Sequence, residues 1–449
     1  ILLLQIMKTL GNEVTSLCDI ETIDGHFSAP HKQVLVYKDG SCASIFRFKG
    51  IANVIGQADY DTIVEILTRT LEPYLKRKGH ALQVVFRKDL DASDSLDRIA
   101  RIQKLSGKKL RLDVDDLIDE SRNKYLTYVY EEDCYFVLFS RPAILDRTEI
   151  RMDNDEKNKL RREISLPPMQ NAQNILRPIS FLYDRHISFF EKVYDDLERS
   201  GIGCYLEKMD VNEMLREVKR NTNREGTCTK WEAIYPGSQK KNTLNKLRLP
   251  TTWKESGDLN DASEFLYPSI PEQIMNVGAK IGSKNDKLLP DDEFVRVGNR
   301  VYAPVIVKIP PRVENEHFNN LFTALNRAET IEDGVIRAIP YSISLTIEGD
   351  GLGSLMMKSL FSKILSFTSE TNRNINLAIS ELNERNRDYE VITKFKIAAM
   401  TWSKSDEASV KSLILRKTNL VKCLEGWGGA QVKEVTGDAA IAWRSNIPA

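Results

Sequence analysis

Asp39 and Gly40 separate two apolar runs, "KQVLVY" (32–37) and "SCASIFRF" (41–48). An Asp-Gly pair readily takes the positive φ that a tight turn between antiparallel strands requires. The chain must therefore contain an antiparallel ribbon, and the rest of the fold has to extend it. The segments that follow alternate in period. "ADYDTIVEILTRTLEPYLKRKG" (58–79) places Ile63, Ile66, Leu67, Leu71, Tyr74 and Leu75 at helical spacing, with Pro73 inside it expected to kink it or end its regular part and Gly79 as a stop. "HALQVVF" (80–86) is strand-like, 92–130 is helical with a break near Gly107, and "CYFVLFSRP" (134–142) is a strand that Pro142 ends. Residues 177–201 form a long amphipathic helix closed by Ser200-Gly201.

From 221 to 295 Thr, Asn, Lys, Gly and Pro dominate and apolar periodicity fades. Order returns at "EFVRVGNRVYAPVIVKIPP" (293–311), two strands around Gly298-Asn299. A helix (317–325), a strand (337–347), a long helix to about 384, a strand (389–403), a helix (405–424), a short strand and a last helix complete the chain. The prediction is an α+β fold of two lobes, with mixed, mostly antiparallel sheets packed by long amphipathic helices and a polar insert between the lobes. Ferredoxin-like pieces are expected in the first. The expected divisions are an N-terminal lobe at 1–142, a helical segment at 143–220, a polar and basic insert at 221–295 and a second lobe at 296–449. No internal repeat stands out in the sequence.

The chain has 449 residues, room for two to four domains or subdomains. Its 64 basic and 64 acidic residues cancel, so any basic surface must be local. Six scattered cysteines without a CxxC pair suggest reduced, buried thiols. The opening "ILLLQIMKTL" is too short to span a membrane and lacks the features of a signal peptide. It reads as the first turns of an amphipathic helix that lies on a core, a partner or a membrane surface, with core packing favoured. His186 has no ligand partner at helical spacing and is expected to serve packing or the surface.

Gly349, Gly351 and Gly353 in "IEGDGLGSLMMKSL" (347–360) join a strand to a helix-like segment, as a phosphate-binding loop does. The Walker pattern GxxxxGK[ST] fails, because Ser354 follows Gly353 and the nearest lysine is Lys358. GxGxG also departs from the dinucleotide GxGxxG. The preceding "YSISLTI" alternates as a half-exposed antiparallel strand would, whereas nucleotide-binding folds use buried parallel strands. The glycines are therefore read as a structural turn. "VGAKIGSKND" (277–286) also sets glycines beside a lysine, but in the wrong register for a Walker motif, and is read as a surface loop. No metal-ligand spacing and no nucleophile–His–acid array is visible, so no catalytic, nucleotide-binding or metal residue is assigned.

Residues 213–254 hold ten Lys or Arg against four acids, interleaved with Trp231, Tyr235 and Trp253. Such a mixture suits single-stranded nucleic acid, an anionic membrane surface, a protein partner or plain solvent. Lys240, Lys241, Lys246, Trp231 and Trp253 are the candidate membrane or partner contacts.

Several phrases in a fixed order carry a resemblance: "SLCDIETIDGH" (16–26), "VLVYKDGSCASIFRFKG" (34–50), "LFSRPAIL" (138–145), "RVYAPVIVKIPP" (300–311), "IPYSISLTIEGDGLGS" (339–354) and "LEGWGGAQVKEVTGDAAIAWRSNIPA" (424–449). Together they resemble the N-terminal half of the large ATPases of type IV secretion and conjugation systems, in the type IVB branch with its Dot/Icm and conjugative members. In that family the nucleotide site belongs to a C-terminal RecA-like domain, whose Walker motif begins soon after a segment like "NIPA". The resemblance therefore implies no catalytic residue in this stretch, with ATP and Mg bound by the parent protein. It implies a scaffold domain of a hexameric or dimer-based motor, at the cytoplasmic face of a bacterial inner membrane. Its expected partners are further copies of itself, other type IV secretion subunits and a second secretion ATPase. A nucleic-acid-binding module built on 213–254 is the alternative.

Overall fold

The computed structural model describes residues 20–23, 33–37, 40–52, 56–76, 78–153, 155, 180–199, 203–222, 231–233, 274, 293–311, 318–332, 335–349, 377–382, 384, 391–435 and 439–448. The predicted ribbon is present as β2 (Leu35–Tyr37) and β3 (Cys42–Ile51), with β1 (Ile20–Ile23) along the outer side of β2. Gly40 takes φ 83° and its N–H donates to the Tyr37 carbonyl at 2.9 Å, the positive-φ turn that the Asp-Gly pair announces.

After β3 come α1 (Gln57–Leu75), β4 (His80–Asp89), the paired helices α2 (Ser93–Leu110) and α3 (Asp115–Tyr125), and β5 (Glu131–Ser140). Then follow α4 (Ser180–Glu198), β6 (Cys204–Lys208) and α5 (Val211–Thr222). In space the strands run β6–β3–β5–β4, and each neighbouring pair is antiparallel. That is the β–α–β–β–α–β order of a ferredoxin-like unit, with the α2–α3 hairpin inserted between its second and third strands. Gly79, which precedes β4, sits at φ 116°. A Cβ there would lie 2.5 Å from Ile144 Cγ1 and 3.2 Å from the Arg141 carbonyl, so only glycine fits between the end of α1 and the turn after β5.

The second half repeats the plan. β7 (Val295–Val297) and β8 (Arg300–Ile309) form a hairpin through Gly298 at φ 61°. α6 (Phe318–Arg327), a small ribbon of β9 (Glu329–Glu332) and β10 (Val335–Ala338), β11 (Tyr341–Glu348) and β12 (Lys394–Lys404) follow. α7 (Glu407–Gly426), β13 (Gln431–Glu434) and α8 (Ala439–Arg444) complete it. Here the order is β13–β8–β12–β11, again antiparallel throughout. The repeat that the sequence does not display is thus present in the topology, including the hairpin that opens each half.

The α+β class holds; a division into two lobes is not confirmed. β4 pairs with β11 over eight residues, from Lys88↔Tyr341 to Ala81↔Glu348, and joins the halves into one eleven-stranded sheet. Among the described residues all its pairings are antiparallel. The stretch at 143–220 is not simply helical either, because β6 within it extends the sheet beside β3. Most of 221–292 lies outside the described residues.

Helices cover both faces of the sheet. Alternate strand residues divide between them, as a two-residue period dictates. Phe46, Leu82 and Leu138 pack under α1 and α4 through Leu71, Phe189, Phe190 and Val193. Val305, Ile343 and Ile397 pack on the same plan under α6 and α7 through Leu321, Leu325, Leu420 and Leu424. Ile45, Val85, Val137, Met400 and Trp402 face the other way, against Met214 and Val218 of α5 and Trp443 of α8, in one core that runs across both halves. Each fully buried Leu, Phe or Val side chain contributes about 1.5–3 kcal/mol.

This layering explains a further difference from expectation. The polar positions of β11, Ser342 and Ser344, are fully buried rather than solvent-facing. Gln83 on the adjacent β4 donates to Ser344 Oγ at 2.9 Å and to the Ile447 carbonyl at 3.2 Å, so its amide ties the sheet to the C-terminal segment. Among the described residues no helix is long and apolar enough to cross a membrane.

Candidate functional site

Adjacent antiparallel strands such as β4 and β5 need only a short turn between them. Residues 90–130 instead build the α2–α3 hairpin. Arg111 caps α2 in the left-handed conformation (φ 58°), and its N–H reaches the Gly107 and Lys108 carbonyls. The Leu112 N–H also bonds the Gly107 carbonyl at 3.0 Å, which reverses the chain tightly. Gly107 lets the two helices close at this end, since a Cβ there would sit 3.2 Å from Val114 Cγ2. Lys104–Asp119 at 2.7 Å and Arg122–Asp97 at 2.5 Å fix the antiparallel register, and Ser95 Oγ donates to Glu131 at the root.

The hairpin buries little of itself. Only Leu96, Ala100 and Gly107 of α2 are buried, and α3 has no buried residue. Ile99, Ile102 and Leu105, three apart along α2, are exposed, as are Leu110 (70% accessible), Leu112 and Leu117 (60%) around the tip. Exposed apolar side chains scattered singly need no explanation, but a concentration on one projecting element marks a contact surface. Charge is sorted along it as well. Residues 98–111 hold six cations and no acid, and residues 112–121 hold five acids and no cation.

Beside the hairpin's root lies a buried ionic hub beneath α5. Arg47 of β3 pairs with Glu217 at 2.7 Å, and the Tyr135 hydroxyl donates to the other Glu217 oxygen at 2.8 Å. Arg220, one turn further along α5, pairs with Glu131 and with Asp133 (3.4 Å) of β5. Arg87 of β4 donates to Asn221 at 2.6 Å and to Asp89 at 2.7 Å, and Arg300 of β8 meets Asp89 at 3.3 Å. Arg87 also stacks over Trp402, 5.0 Å from the ring centroid. Burial pushes the Glu217 carboxyl up, but Arg220 and Arg47 more than offset it and hold it below the usual carboxylate range. For Asp133 burial outweighs Arg220, and its pKa is raised. Ion pairs clamp α5 to β3 and β5, the Arg87–Asn221 hydrogen bond ties it to β4, and Asp89 links Arg87 to the second half through Arg300.

On the opposite face His186 is fully buried, which assigns it to packing rather than to the surface. Its bonds fix the protons of a polar chain. Ser44 Oγ donates to the Gln33 carbonyl (2.6 Å), so it accepts from His186 Nε2–H (2.9 Å). His186 Nδ1 is then bare and accepts from Ser140 Oγ (2.9 Å), which in turn accepts from His80 Nδ1–H (3.1 Å). Burial, with a contribution from His80, lowers the His186 pKa to about 3. His80 borders a surface cavity of about 810 Å³ that Tyr74, Arg185 and Ser188 also line.

Trp231 of the basic aromatic segment packs, half-buried, against the core shared by α5 and α8. Lys219 Nζ lies 4.6 Å from its ring centroid, and Arg216 Nε donates to its carbonyl at 3.1 Å. Lys240, Lys241, Lys246 and Trp253 lie outside the described residues, as do Gly351, Gly353 and the glycine-lysine stretch at 277–286. Gly349 donates to the His80 carbonyl at 3.0 Å, at the end of a strand flanked on both sides by antiparallel neighbours. No sequence motif marks the hairpin surface. Its signal was the run of cations followed by a run of acids, with leucines at 105, 110, 112 and 117. Among the described residues no group of three or more His, Cys, Asp or Glu is placed to hold a metal ion. No model of a known protein family matches the chain, and no curated protein matches it.

Proposed function

We propose that this chain is the assembly domain of a type IV secretion ATPase of the type IVB branch, a scaffold that positions motor domains and meets other subunits at the cytoplasmic face of a bacterial inner membrane. The observation that carries the proposal is the α2–α3 hairpin, an exposed apolar and charged arm on a continuous, helix-covered sheet. A sheet clamped on one face by an ionic hub suits a part that transmits position rather than one that closes over a substrate. The phrases that resemble the family run from residue 16 to residue 449. ATP and Mg would be bound elsewhere in the parent protein. Peripheral membrane association through Lys240, Lys241, Lys246 and Trp253 belongs to the same proposal.

Cross-linking of the tagged, chromosomally encoded protein in its own bacterium, followed by mass spectrometry, tests it. Links to type IV secretion subunits, a second secretion ATPase among them, are expected. Recovery without any such subunit overturns it. Single-stranded DNA binding that falls steeply between about 50 and 200 mM salt would favour the nucleic-acid alternative.

A further inference from the structure

We infer that the α2–α3 hairpin pairs with the same hairpin of a second copy of this chain. The inference rests on the assembly reading above and names the partner of its arm. A partner for this surface has to cover Ile102, Leu105, Leu110 and Leu117, and it has to answer two opposite charges side by side. On α2 the exposed cations are Arg98, Arg101, Lys108 and Lys109, with Arg111 just beyond; on and just before α3 the exposed acids are Asp113, Asp116, Glu120 and Asp119, the last already paired with Lys104. A uniformly acidic or uniformly basic partner would satisfy one helix and repel the other. The hairpin itself carries the complement of both.

Symmetry makes the two surfaces complementary in sign. A twofold axis along the length of the hairpin, between two stacked copies, places α2 of each on α3 of the other with the tips together. Cations 98–111 of one copy then lie along acids 112–121 of the other, twice over. The apolar side chains between them enclose the centre of a four-helix bundle, whose helices cross at the shallow angle usual for such bundles. The internal pairs Lys104–Asp119 and Arg122–Asp97 hold each hairpin together before it docks. Such charge sorting favours stacking α2 on α3 over α2 on α2, where like charges would meet.

A charge-swap experiment on the whole 449-residue chain tests the pairing. One variant carries Arg101→Glu, Lys108→Glu and Lys109→Glu, and the other carries Asp113→Lys, Asp116→Lys and Glu120→Lys. Mass is measured by light scattering and sedimentation at roughly 50 μM, above the micromolar Kd of a small interface. The native chain is expected to dimerise, each variant alone to have its Kd raised at least about tenfold, and an equimolar mixture of the two variants to dimerise again. Dimerisation of the native chain should also weaken as salt rises from about 0.05 to 0.5 M. A monomeric native chain, variants that still dimerise alone, or a mixture that stays monomeric each overturns the inference. If circular dichroism shows that a triple variant has lost helix, the single reversals Lys109→Glu and Glu120→Lys, mixed in the same way, decide it. None of these results depends on which secretion subunits the protein meets in the cell, so the assembly reading stands or falls separately on the cross-linking result.

Discussion

At the scale of single residues, two buried groups set how the molecule responds to mutation and to acid. Glu217 sits between Arg47 and Arg220 and accepts the Tyr135 hydroxyl. Glu217→Gln leaves two guanidinium groups without their shared counter-charge and is expected to cost about 3–5 kcal/mol in urea unfolding. Tyr135→Phe removes one bond to the same carboxylate and should cost about 1–2 kcal/mol. Because the folded pKa of Glu217 is held below its unfolded value, its contribution is complete above pH 4.5 and is lost as pH falls through the folded pKa. His186 acts in the same direction. Its folded pKa of about 3 lies below the ordinary 6.5, so between those values the unfolded chain takes up a proton that the folded chain refuses. Stability should therefore fall on acidification below pH 6.5, by up to about 1.4 kcal/mol per pH unit from this group. Asp133, raised by burial, opposes the trend above pH 3.8. NMR of the imidazole carbons checks the assignment: His186 should not titrate between pH 8 and about 4, and a midpoint near 6.5 would contradict its burial. The sequence left His186 between packing and the surface, and its burial decides for packing. Its Ser44 and Ser140 partners were not legible, because they come from strands 142 and 46 residues away.

At the scale of elements, the hairpin stands apart from the packed core. α3 buries none of its residues, and Leu110 and Ile102 are exposed on α2. Replacing both by Asn should change unfolding stability, measured well below micromolar concentration where the chain is unpaired, by no more than about 0.5 kcal/mol, as surface substitutions do. A loss of several kcal/mol would show that these side chains pack within the molecule. Periodicity made most elements legible: the Asp39-Gly40 ribbon, the helix that Gly79 stops and the strand that Pro142 follows all stand where the sequence puts them. It misled at β11, where alternating serines suggested a half-exposed strand. Ser342 and Ser344 are instead buried, and Gln83, which also bonds the Ile447 carbonyl, hydrogen-bonds Ser344. A period of two reports that the faces differ, and which layer covers the polar face is decided by residues about a hundred positions away. The hairpin was legible as two helices but not as a surface, since exposure depends on what fails to pack against it.

At the scale of the whole molecule, two ferredoxin-like units share one sheet through β4 and β11. Each opens with a two-strand ribbon, and the first carries the helical arm where its second and third strands connect. The repeat was invisible in the sequence because strand order and direction survive many different apolar residues. The pairing of the halves was not legible, because the residues that join them, 81–88 and 341–348, are ordinary alternating strands with nothing to mark them as a seam. The sheet is covered on both faces and clamped by the Arg47–Glu217–Arg220 hub, and the α2–α3 arm leaves Ile99, Ile102, Leu105, Leu110, Leu112 and Leu117 exposed. The central claim is that this arm serves assembly of a secretion motor. It is tested most directly by measuring type IV export in the native bacterium carrying Ile102→Asn and Leu110→Asn in the full-length protein. Export is expected to be lost while the amount of protein, and its thermal unfolding at a concentration too low for pairing, are unchanged. Export at the native level with the substituted arm would contradict it.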